Sequence, residues 1–359
     1  MTQVPKRSLR PGYEISRIIK GGWQLAGDHG AVDPDRVVQD MLAFVDAGIT
    51  AFDCADIYTG VEDLIGQFRR LLLNSRGAAA AQTVKVHTKY VPDRDHLAAL
   101  TFSDVEAAID RSLQRLGQDR LDLVQFHWWN YDIPGHVEAM QHLDRLRQAG
   151  KIDQLGVTNF DADHLDQLCK VSDIVSAQVQ FSLLDSRASG EFAQIARQHD
   201  VALLVYGVLA GGFLTDHWLG EPDPGFAFEN RSLVKYRLVI EDFGGWDLFQ
   251  ALLATLRAIS DRHGAEISTI ATRAMLDDAD VTATIIGARY ASRLPRTLKV
   301  FDIALTDADR AALDAVLKQR LGPKGPVFGL ERDLSGRHGR IMKYNLNKGD
   351  NRLLSEGAG

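Results

Sequence analysis

Cysteine is scarce in this 359-residue sequence, which contains only Cys54 and Cys169. Two cysteines outside any CxxC pair are too few for a disulfide framework, so a reducing compartment is expected. An excess of basic residues is also absent, because the formal net charge is −7. That balance argues against a nucleic-acid-binding protein. No run approaches the roughly 18 apolar residues of a membrane span, and no apolar segment follows the basic N-terminus as in a secretory signal. The sequence therefore predicts a cytoplasmic protein with neither nucleic-acid nor membrane partners, and no pattern indicates its oligomeric state.

Short apolar runs rich in β-forming residues alternate with longer stretches of helical periodicity. The predicted strands are Ile18–Ile19, Thr50–Asp53, Val84–Lys89, Leu121–His127, Gln154–Thr158, Ile174–Gln178, Ala202–Tyr206 and Thr284–Ile286. Such alternation indicates either an open doubly wound sheet or a closed (β/α)8 barrel. An open dinucleotide-binding sheet should carry GxGxxG after an early strand, but here the first strand is followed by Gly21, Gly22 and Trp23. The missing motif and the strand count favour an α/β fold, a (β/α)8 TIM barrel over residues 1–321.

Capping residues mark where several of the helices should begin. Asp33 precedes Pro34 and is expected to cap the first long helix. Ser103 and Glu106 have the spacing of a capping box, which predicts a helix beginning at that point. Further helices are predicted over residues 136–149, 161–171, 188–199 and 248–263.

Two segments depart from the alternation. Residues 215–247 mix prolines, glycines and aromatic residues without periodicity, which predicts a long loop after the seventh strand. Residues 322–359 are expected to form a C-terminal tail, either a solvated terminus or a cover over the barrel mouth. Between Lys318 and Arg352 there are nine Lys and Arg residues against three Asp and Glu. A tail folded over the mouth would therefore favour an anionic or phosphorylated substrate.

Polar residues end most of the predicted strands. A barrel places its active site at the C-terminal ends of its strands, so these side chains should meet on one rim. They are Asp53, Lys89, His127, Thr158, Asn159, Gln178 and Tyr206. Taken singly, a charged strand end is usually just solvated and a lone histidine is usually a core residue. Taken together on one rim, they indicate a catalytic site.

The chemistry of this set centres on Tyr58, five residues after Asp53. Adjacent strands are about 5 Å apart, so Asp53 can pair with Lys89 while Lys89 approaches the Tyr58 hydroxyl. A free tyrosine has a pKa near 10, and a nearby ammonium should lower it. His127 is then expected to donate a hydrogen bond that orients a carbonyl oxygen near Tyr58. This arrangement suits proton donation to an oxygen while a hydride reaches carbon.

Six segments in this order resemble the aldo-keto reductase superfamily, from about Ser16 to Leu317. They are Phe-Asp-Cys-Ala-Asp-Ile-Tyr (52–58), Val-His-Thr-Lys (86–89), Gln-Phe-His-Trp (125–128), Gly-Val-Thr-Asn-Phe (156–160), Ala-Gln-Val-Gln-Phe-Ser-Leu-Leu (177–184) and Val-Tyr-Gly-Val-Leu-Ala-Gly-Gly (205–212). The resemblance implies a catalytic tetrad of Asp53, Tyr58, Lys89 and His127. It also implies an NADP-linked oxidoreductase of aldehydes or ketones that needs no metal, and the sequence shows no metal-ligand cluster.

The resemblance further implies how a nicotinamide cofactor binds. Thr158, Asn159 and Gln178 would hold the carboxamide, Tyr206 would stack on the ring, and residues 207–213 would cover the pyrophosphate. The implied cofactor residues are Gly22, Trp23, Asp53, Thr158, Asn159, Gln178, Tyr206, Gly207, Leu209, Gly211, Phe213, Gly287, Arg289 and Arg293. Trp23, Trp128 and Trp129 are expected to line the substrate mouth, where aromatic walls suit sugars and flat carbonyls alike.

The adenosine end departs from the family pattern. Arg293 matches the arginine that grips the 2′-phosphate of NADP, and Arg289 could assist. Gly287 stands where a lysine is usual, and Arg296 and Thr297 replace a usual Glu-Asn pair. NADP is therefore the expected cofactor, with NAD as an alternative.

Three functions remain open from the sequence. The first is an NADP-linked carbonyl reductase, and the second is an NAD-linked sugar or alcohol dehydrogenase. The third is a regulatory subunit that senses the cofactor while bound to a membrane partner, because such relatives also keep the tetrad. Measurable turnover separates the first two from the third.

Overall fold

Eight parallel strands form a closed barrel in the computed structural model, which describes residues 4–26 and 32–347. An antiparallel hairpin, β1 (Lys6–Arg10) and β2 (Tyr13–Ser16), comes first. The barrel strands are β3 (Ile18–Gly21), β4 (Ala51–Asp53), β5 (Lys85–Tyr90), β6 (Leu121–Phe126), β7 (Ile152–Thr158), β8 (Ile174–Gln180), β9 (Ala202–Tyr206) and β10 (Val281–Gly287). Each strand pairs with the next along the chain, and β10 closes the ring against β3. The predicted (β/α)8 barrel is confirmed.

Helices surround the barrel and bury their apolar faces against it. They are α1 (Pro34–Asp46), α2 (Val61–Thr83), α3 (Phe102–Leu116), α4 (His136–Gln148), α5 (Ala162–Cys169), α6 (Glu191–Gln198), α7 (Arg231–Phe243), α8 (Gly245–His263), α9 (Ile267–Asp277), α10 (Leu294–Leu298), α11 (Asp307–Leu317) and α12 (Gly329–Arg332). As predicted, Asp33 caps α1 by accepting a hydrogen bond from the Arg36 N–H at 3.1 Å. Along the described ranges, none of these helices has the length and apolar content needed to cross a membrane.

The N-terminal hairpin closes the lower end of the barrel. Leu9, Tyr13 and Ile15 form one buried cluster with barrel residues that include Ile19 and Leu123. Because this plug fills the end from which the strands start, the described residues leave the end at which the strands finish for a ligand to approach. That is the rim where the sequence places its polar residues.

The capping box of α3 lies two residues before its predicted position. Thr101 accepts a hydrogen bond from the Asp104 N–H, and the Asp104 carboxylate accepts one from the Thr101 N–H. The prediction at Ser103 and Glu106 was wrong because two overlapping Ser/Thr-x-x-acid patterns occur here. The helix is capped at the earlier of the two patterns, by Thr101 and Asp104.

The predicted loop over residues 215–247 was wrong in part, because it contains α7 and the start of α8. The apolar face of α7 is masked in the sequence by Arg237, which is 3% exposed and pairs with Asp223 and Glu241. The alanines of residues 78–81 continue α2 beyond a bend at Gly77, where φ is 81°.

After α11 the chain turns across the upper rim. The Leu321 N–H donates to the Phe243 carbonyl at 2.9 Å, and α12 follows without any further strand in the described residues. The division between a barrel over 1–321 and a tail over 322–359 stays a prediction, and residues 348–359 of that tail lie outside the described residues.

Candidate active site

Asp53 and Lys89 meet inside the barrel at the upper ends of β4 and β5. The Lys89 Nζ donates to Asp53 Oδ2 at 2.7 Å and to the Cys54 carbonyl at 2.8 Å. The same ammonium lies 4.9 Å from the centre of the Tyr58 ring. All three predicted groups therefore lie together, with the lysine held between the carboxylate and the phenol.

Two glutamine side chains fix the second oxygen of Asp53. Gln178 Nε2 donates to Asp53 Oδ1 at 2.6 Å, and Gln125 Nε2 donates to it at 3.2 Å. The two amides also bond to each other at 3.0 Å. Gln178, expected to hold a carboxamide, thus also orients the carboxylate. Gln125 was missed, although its place two residues before His127 puts it on the same inward face of the strand.

Burial sets the protonation of Lys89 and Tyr58. Burial alone would lower the pKa of Lys89, but the negative charge of Asp53 more than offsets it, so the pKa is raised and the lysine stays charged. Burial raises the pKa of Tyr58 above its ordinary value, while Lys89 acts in the opposite direction. The expectation that Lys89 leaves Tyr58 with a lowered pKa was wrong, because desolvation of the phenolate is the larger effect. Tyr58 is therefore a protonated phenol at neutral pH.

His127 is a neutral imidazole. Burial, aided by the positive charge of Arg332, lowers its pKa to about 3. Its Nδ1 lies 3.0 Å from the Thr158 carbonyl, and only an N–H can bond to a carbonyl oxygen, so Nδ1 carries the proton. Nε2 is then a lone pair without a partner in the described protein. This contradicts the expectation that His127 donates to a substrate oxygen, because the ring's one proton is already used.

The residues expected around the nicotinamide lie at the ends of β7, β8 and β9. The Tyr206 hydroxyl donates to Asn159 Oδ1 at 2.8 Å, and Asn159 has a positive φ of 60°. Thr158 is 3% exposed. The hydrogen bond to Asn159 anchors the Tyr206 hydroxyl at the rim.

Aromatic rings enclose the space above the tetrad. Trp23 lies edge-on to Tyr58 with ring centres 4.8 Å apart. Trp129 lies edge-on to His127 at 4.3 Å, and Phe328 of the tail contacts the same imidazole at 5.5 Å. The expectation that Trp128 lines this mouth was wrong. Its indole is fully buried and donates to the carbonyls of residues 130 and 133.

Two neighbouring residues of the tail attach it to the rim. Glu331, 1% exposed, pairs with both terminal nitrogens of Arg187 at 2.9 Å. Arg332 Nη2 donates to the Trp128 carbonyl at 3.0 Å and the Asn159 carbonyl at 2.7 Å. The remaining Arg332 nitrogens, Nε and Nη1, are buried without a partner in the described protein.

The glycine-containing turn after β9 is covered by α7. Gly207 and Gly211 have φ values of 75° and 65°, and a side chain at Gly211 would approach the Tyr236 ring to 2.6 Å. From the start of α7, Ser232 accepts a hydrogen bond from the Trp23 indole at 3.1 Å. The helix therefore bridges the rim from the end of β9 to the end of β3.

A cavity of about 460 Å³ continues from this turn to the end of β10. It is lined by Leu209, Gly212, Thr215, Asp216, His217, Glu266, Ser268, Thr269, Thr272, Ile286, Gly287, Ala288, Arg293, Arg296, Thr297 and Val300. The structure thus places Leu209, Gly287 and Arg293 together, as the sequence predicted.

The other expected cofactor residues do not line this cavity. Arg289 instead donates from Nε to the Gln24 carbonyl at 3.1 Å, and Phe213 is fully buried behind the turn. Gly22 packs so closely on the main chain of Asp53 that a Cβ would lie 2.7 Å from its oxygen. A Cβ at Gly287 would meet the side-chain amide of Gln24, which is the movable end of a flexible side chain. No group of three or more His, Cys, Asp and Glu side chains that could hold a metal occurs across residues 4–26 and 32–347.

Comparisons with known proteins agree with this geometry. The family model described as Aldo/keto reductase family matches residues 17–318. Aldo-keto reductase YhdN of Bacillus subtilis (strain 168) is 25% identical over 88% of this chain and 95% of its own length. The NADH-specific methylglyoxal reductase of Escherichia coli (strain K12) is 25% identical over 82% of this chain and 92% of its own. The solved structure of a glycerol dehydrogenase from Gluconobacter oxydans superposes with a TM-score of 0.71, at 25% identity over 87% of this chain and 95% of that one.

Proposed function

The chain belongs to the aldo/keto reductase family, and on that basis we propose that Tyr58 exchanges the proton as it interconverts a small aldehyde or ketone and the corresponding alcohol. Its class, an NAD(P)-dependent oxidoreductase, follows from the family match and from the reductase and dehydrogenase relatives. The bound nicotinamide would supply or accept the hydride. The chain's own residues must then bind the reactants, exclude water and manage one proton.

The residues present fit such a cofactor. The cavity beside the end of β10 offers Arg293 to a phosphate, and arginine is well suited to that role. The turn after β9 brings positive-φ glycines to the edge of this cavity, and Asn159 anchors the Tyr206 hydroxyl. Thr158, Asn159 and Gln178 would hold the carboxamide end. For this role we propose that the Gln178 side chain gives up one of its two present hydrogen bonds, to Asp53 or to Gln125.

Tyr58 carries the transferable proton. In carbonyl reduction its phenol donates that proton to the oxygen while the charged Lys89 stabilises the phenolate that forms. In alcohol oxidation the phenolate takes the proton back. Asp53, fixed by two glutamine amides, keeps Lys89 charged and directed at the ring. General acid–base catalysis of this kind contributes about 10²- to 10⁴-fold to the rate.

His127 is assigned to the alcohol form of the substrate. Its unpartnered Nε2 lone pair accepts hydrogen bonds, so it can receive the hydroxyl of an alcohol but not orient a carbonyl. The imidazole would thus hold the alcohol before its hydroxyl turns to the Tyr58 phenolate in oxidation, or after the alcohol has formed in reduction. Trp129 and Phe328, whose rings also contact each other, pack against the imidazole and limit the access of water to it.

The observation that carries this proposal is the Asp53–Lys89–Tyr58 arrangement at the base of an aromatic enclosure. Its test is turnover of NADH and NADPH by the wild-type protein with a panel of small aldehydes and ketones, and of NAD and NADP with alcohols. We expect measurable rates in at least one direction. Tight cofactor binding without turnover of any substrate in the panel would contradict the proposal and leave the regulatory alternative. Relatives named for the reduction of methylglyoxal and the oxidation of glycerol justify assaying both directions.

We propose further that the tail covers the mouth and favours an anionic carbonyl substrate. Arg337 and His338 both pair with Asp242, so these two residues are not the reason. Arg332 is the relevant residue, because it makes no ion pair in the described protein and its charge reaches His127. A buried cation without a carboxylate is costly, and a substrate carboxylate or phosphate would offset that cost.

Arg332→Met tests this preference. The change should raise KM for a negatively charged aldehyde by about tenfold or more, the effect of a charge-assisted hydrogen bond. KM for a neutral aldehyde of similar size should change little. Arg340→Met, on an exposed tail arginine, is the matched control. An equal rise for charged and neutral substrates would show that Arg332 only anchors the tail to the rim.

A further inference from the structure

The adenosine half of the cofactor cavity contains as many carboxylates as arginines. Its lining includes Asp216 and Glu266 as well as Arg293 and Arg296. A cavity adapted only to a 2′-phosphate dianion would be expected to be positive overall. Because the charges balance, the contacts of each carboxylate decide how it affects a bound dinucleotide.

Asp216 is fully engaged by the protein. One of its oxygens pairs with Arg257, and the other accepts the Ile267 N–H at 3.1 Å. That N–H is the first of α9, so the carboxylate already satisfies the positive end of the helix. Asp216 therefore has a structural role and little influence on the choice of cofactor.

Glu266 is placed differently. It immediately precedes α9, but its side chain makes no capping hydrogen bond to that helix. Instead its Oε1 lies 3.1 Å from Arg296 Nη1. The Glu266 side chain is 40% exposed and that of Arg296 is 68% exposed, so the pair remains open to a ligand entering the cavity.

Arg293 and Arg296 consequently differ in the charge that they offer to a phosphate. Arg293, one helical turn before Arg296, makes no ion pair within the part of the chain that is described, whereas Arg296 is neutralised by Glu266. A phosphate that enters between them is attracted by Arg293. It competes with the Glu266 carboxylate for Arg296, and that carboxylate repels it. A ribose hydroxyl is not repelled and can donate a hydrogen bond to a carboxylate, as acidic residues do in NAD sites.

We infer that Glu266 is a specificity-determining residue for the cofactor: it neutralises Arg296, weakens binding of the 2′-phosphate and makes NADH usable alongside NADPH. The inference rests on the proposed function, since it takes the cavity to hold the adenosine half of a dinucleotide. It attributes the expected weak discrimination between NADPH and NADH to one carboxylate, which lies outside the tetrad and outside the nicotinamide end.

The experiment measures dissociation constants of NADPH and NADH by quenching of tryptophan fluorescence, for the wild type and five variants. Glu266→Gln should raise the affinity for NADPH relative to NADH by about three- to tenfold, the range for a partly exposed charge acting on a dianion. Arg296→Ala alone should change that ratio by less than about twofold, because its charge is already neutralised. In the Glu266→Gln background, Arg296→Ala should remove the gain.

Two outcomes would overturn the inference. One is an unchanged affinity ratio in Glu266→Gln, and the other is an Arg296→Ala loss as large as that of Arg293→Ala. Glu138→Gln, on the exposed face of α4, is the matched control. A similar shift in that control would mean that overall charge, not this position, sets the ratio. A wild-type protein that binds neither dinucleotide would instead contradict the proposed function itself.

Discussion

At the scale of single residues, the site depends on burial more than on net charge. Lys89 and Asp53 pair at 2.7 Å with both side chains almost fully enclosed. In such surroundings the lysine remains charged, yet its charge does not bring the pKa of Tyr58 down to neutral pH. Tyr58 is thus an acid that holds its proton over the whole physiological range. In the proposed mechanism Lys89 therefore stabilises the phenolate as it forms and does not create a phenolate at rest.

This gives a prediction for pH dependence. Below its raised pKa Tyr58 is the phenol that reduction requires, and above it the phenolate that oxidation requires. His127, with a pKa of about 3, stays neutral throughout. The kcat for carbonyl reduction should therefore be flat from about pH 6 to pH 9 and decline only at higher pH, while alcohol oxidation rises with pH. A pH series of initial rates at saturating cofactor checks this. A rise or fall of this kcat with a midpoint between about pH 6 and pH 8 would show that a group other than Tyr58 controls the proton transfer.

The polar residues at strand ends could be predicted because a barrel gathers those ends on one rim. Asp53, Lys89 and His127 were found in this way, and Tyr58 through its distance from Asp53. Gln125 was missed because it lies within a strand and not at its end. The proton position on His127 could not be predicted, since it depends on which carbonyl the folded chain brings to Nδ1.

At the scale of elements, the start of α3 shows how neighbouring signals compete. Thr101 and Asp104 form the capping box, while Ser103 lies inside the helix and is exposed. Thr101→Ala should lower the free energy of unfolding by about 1 kcal/mol, because the Asp104 N–H loses its acceptor. Ser103→Ala should leave it nearly unchanged. Urea denaturation of both variants measures the difference, and equal destabilisation would contradict this assignment of the cap.

Helix α7 could not be predicted because its stabilising contacts are distant in sequence. Its start is linked to Trp23 through Ser232, and Tyr236 packs on the turn after β9. These partners become neighbours only when the barrel has closed. The sequence alone shows no helical pattern here, because Arg237 lies on the buried face of α7 and prolines precede the helix.

The tail gives a prediction for substrate binding. Phe328 contacts the rings of His127 and Trp129. Phe328→Ala should raise KM for carbonyl substrates by about tenfold, the effect of losing apolar contact in a pocket. The dissociation constant of the cofactor should stay the same. Leu334→Ala, on an exposed tail residue, serves as the control, and an unchanged KM in the Phe328 variant would exclude the tail from the substrate site.

At the scale of the whole molecule, the hairpin and the barrel together direct chemistry to one end. The hairpin plugs the lower end with apolar side chains, and α7 and the tail cross the upper one. The barrel architecture could be predicted from alternating strands and helices, and a cover formed by the tail was one of two alternatives, whereas the plug and α7 could not be predicted. Their residues carry no periodic pattern, and their positions follow from contacts that only the closed barrel provides.

The central claim is that Tyr58 transfers the proton in an otherwise preformed site. Tyr58→Phe removes one hydroxyl and keeps the ring that packs against Trp23. Turnover and cofactor affinity of this variant should be measured on the same preparation as the wild type. The account predicts that kcat falls by about 10²- to 10⁴-fold while the cofactor dissociation constant stays within about twofold, because the hydroxyl acts in the chemical step. Retention of wild-type kcat with normal cofactor binding would remove Tyr58 from its role and contradict the account.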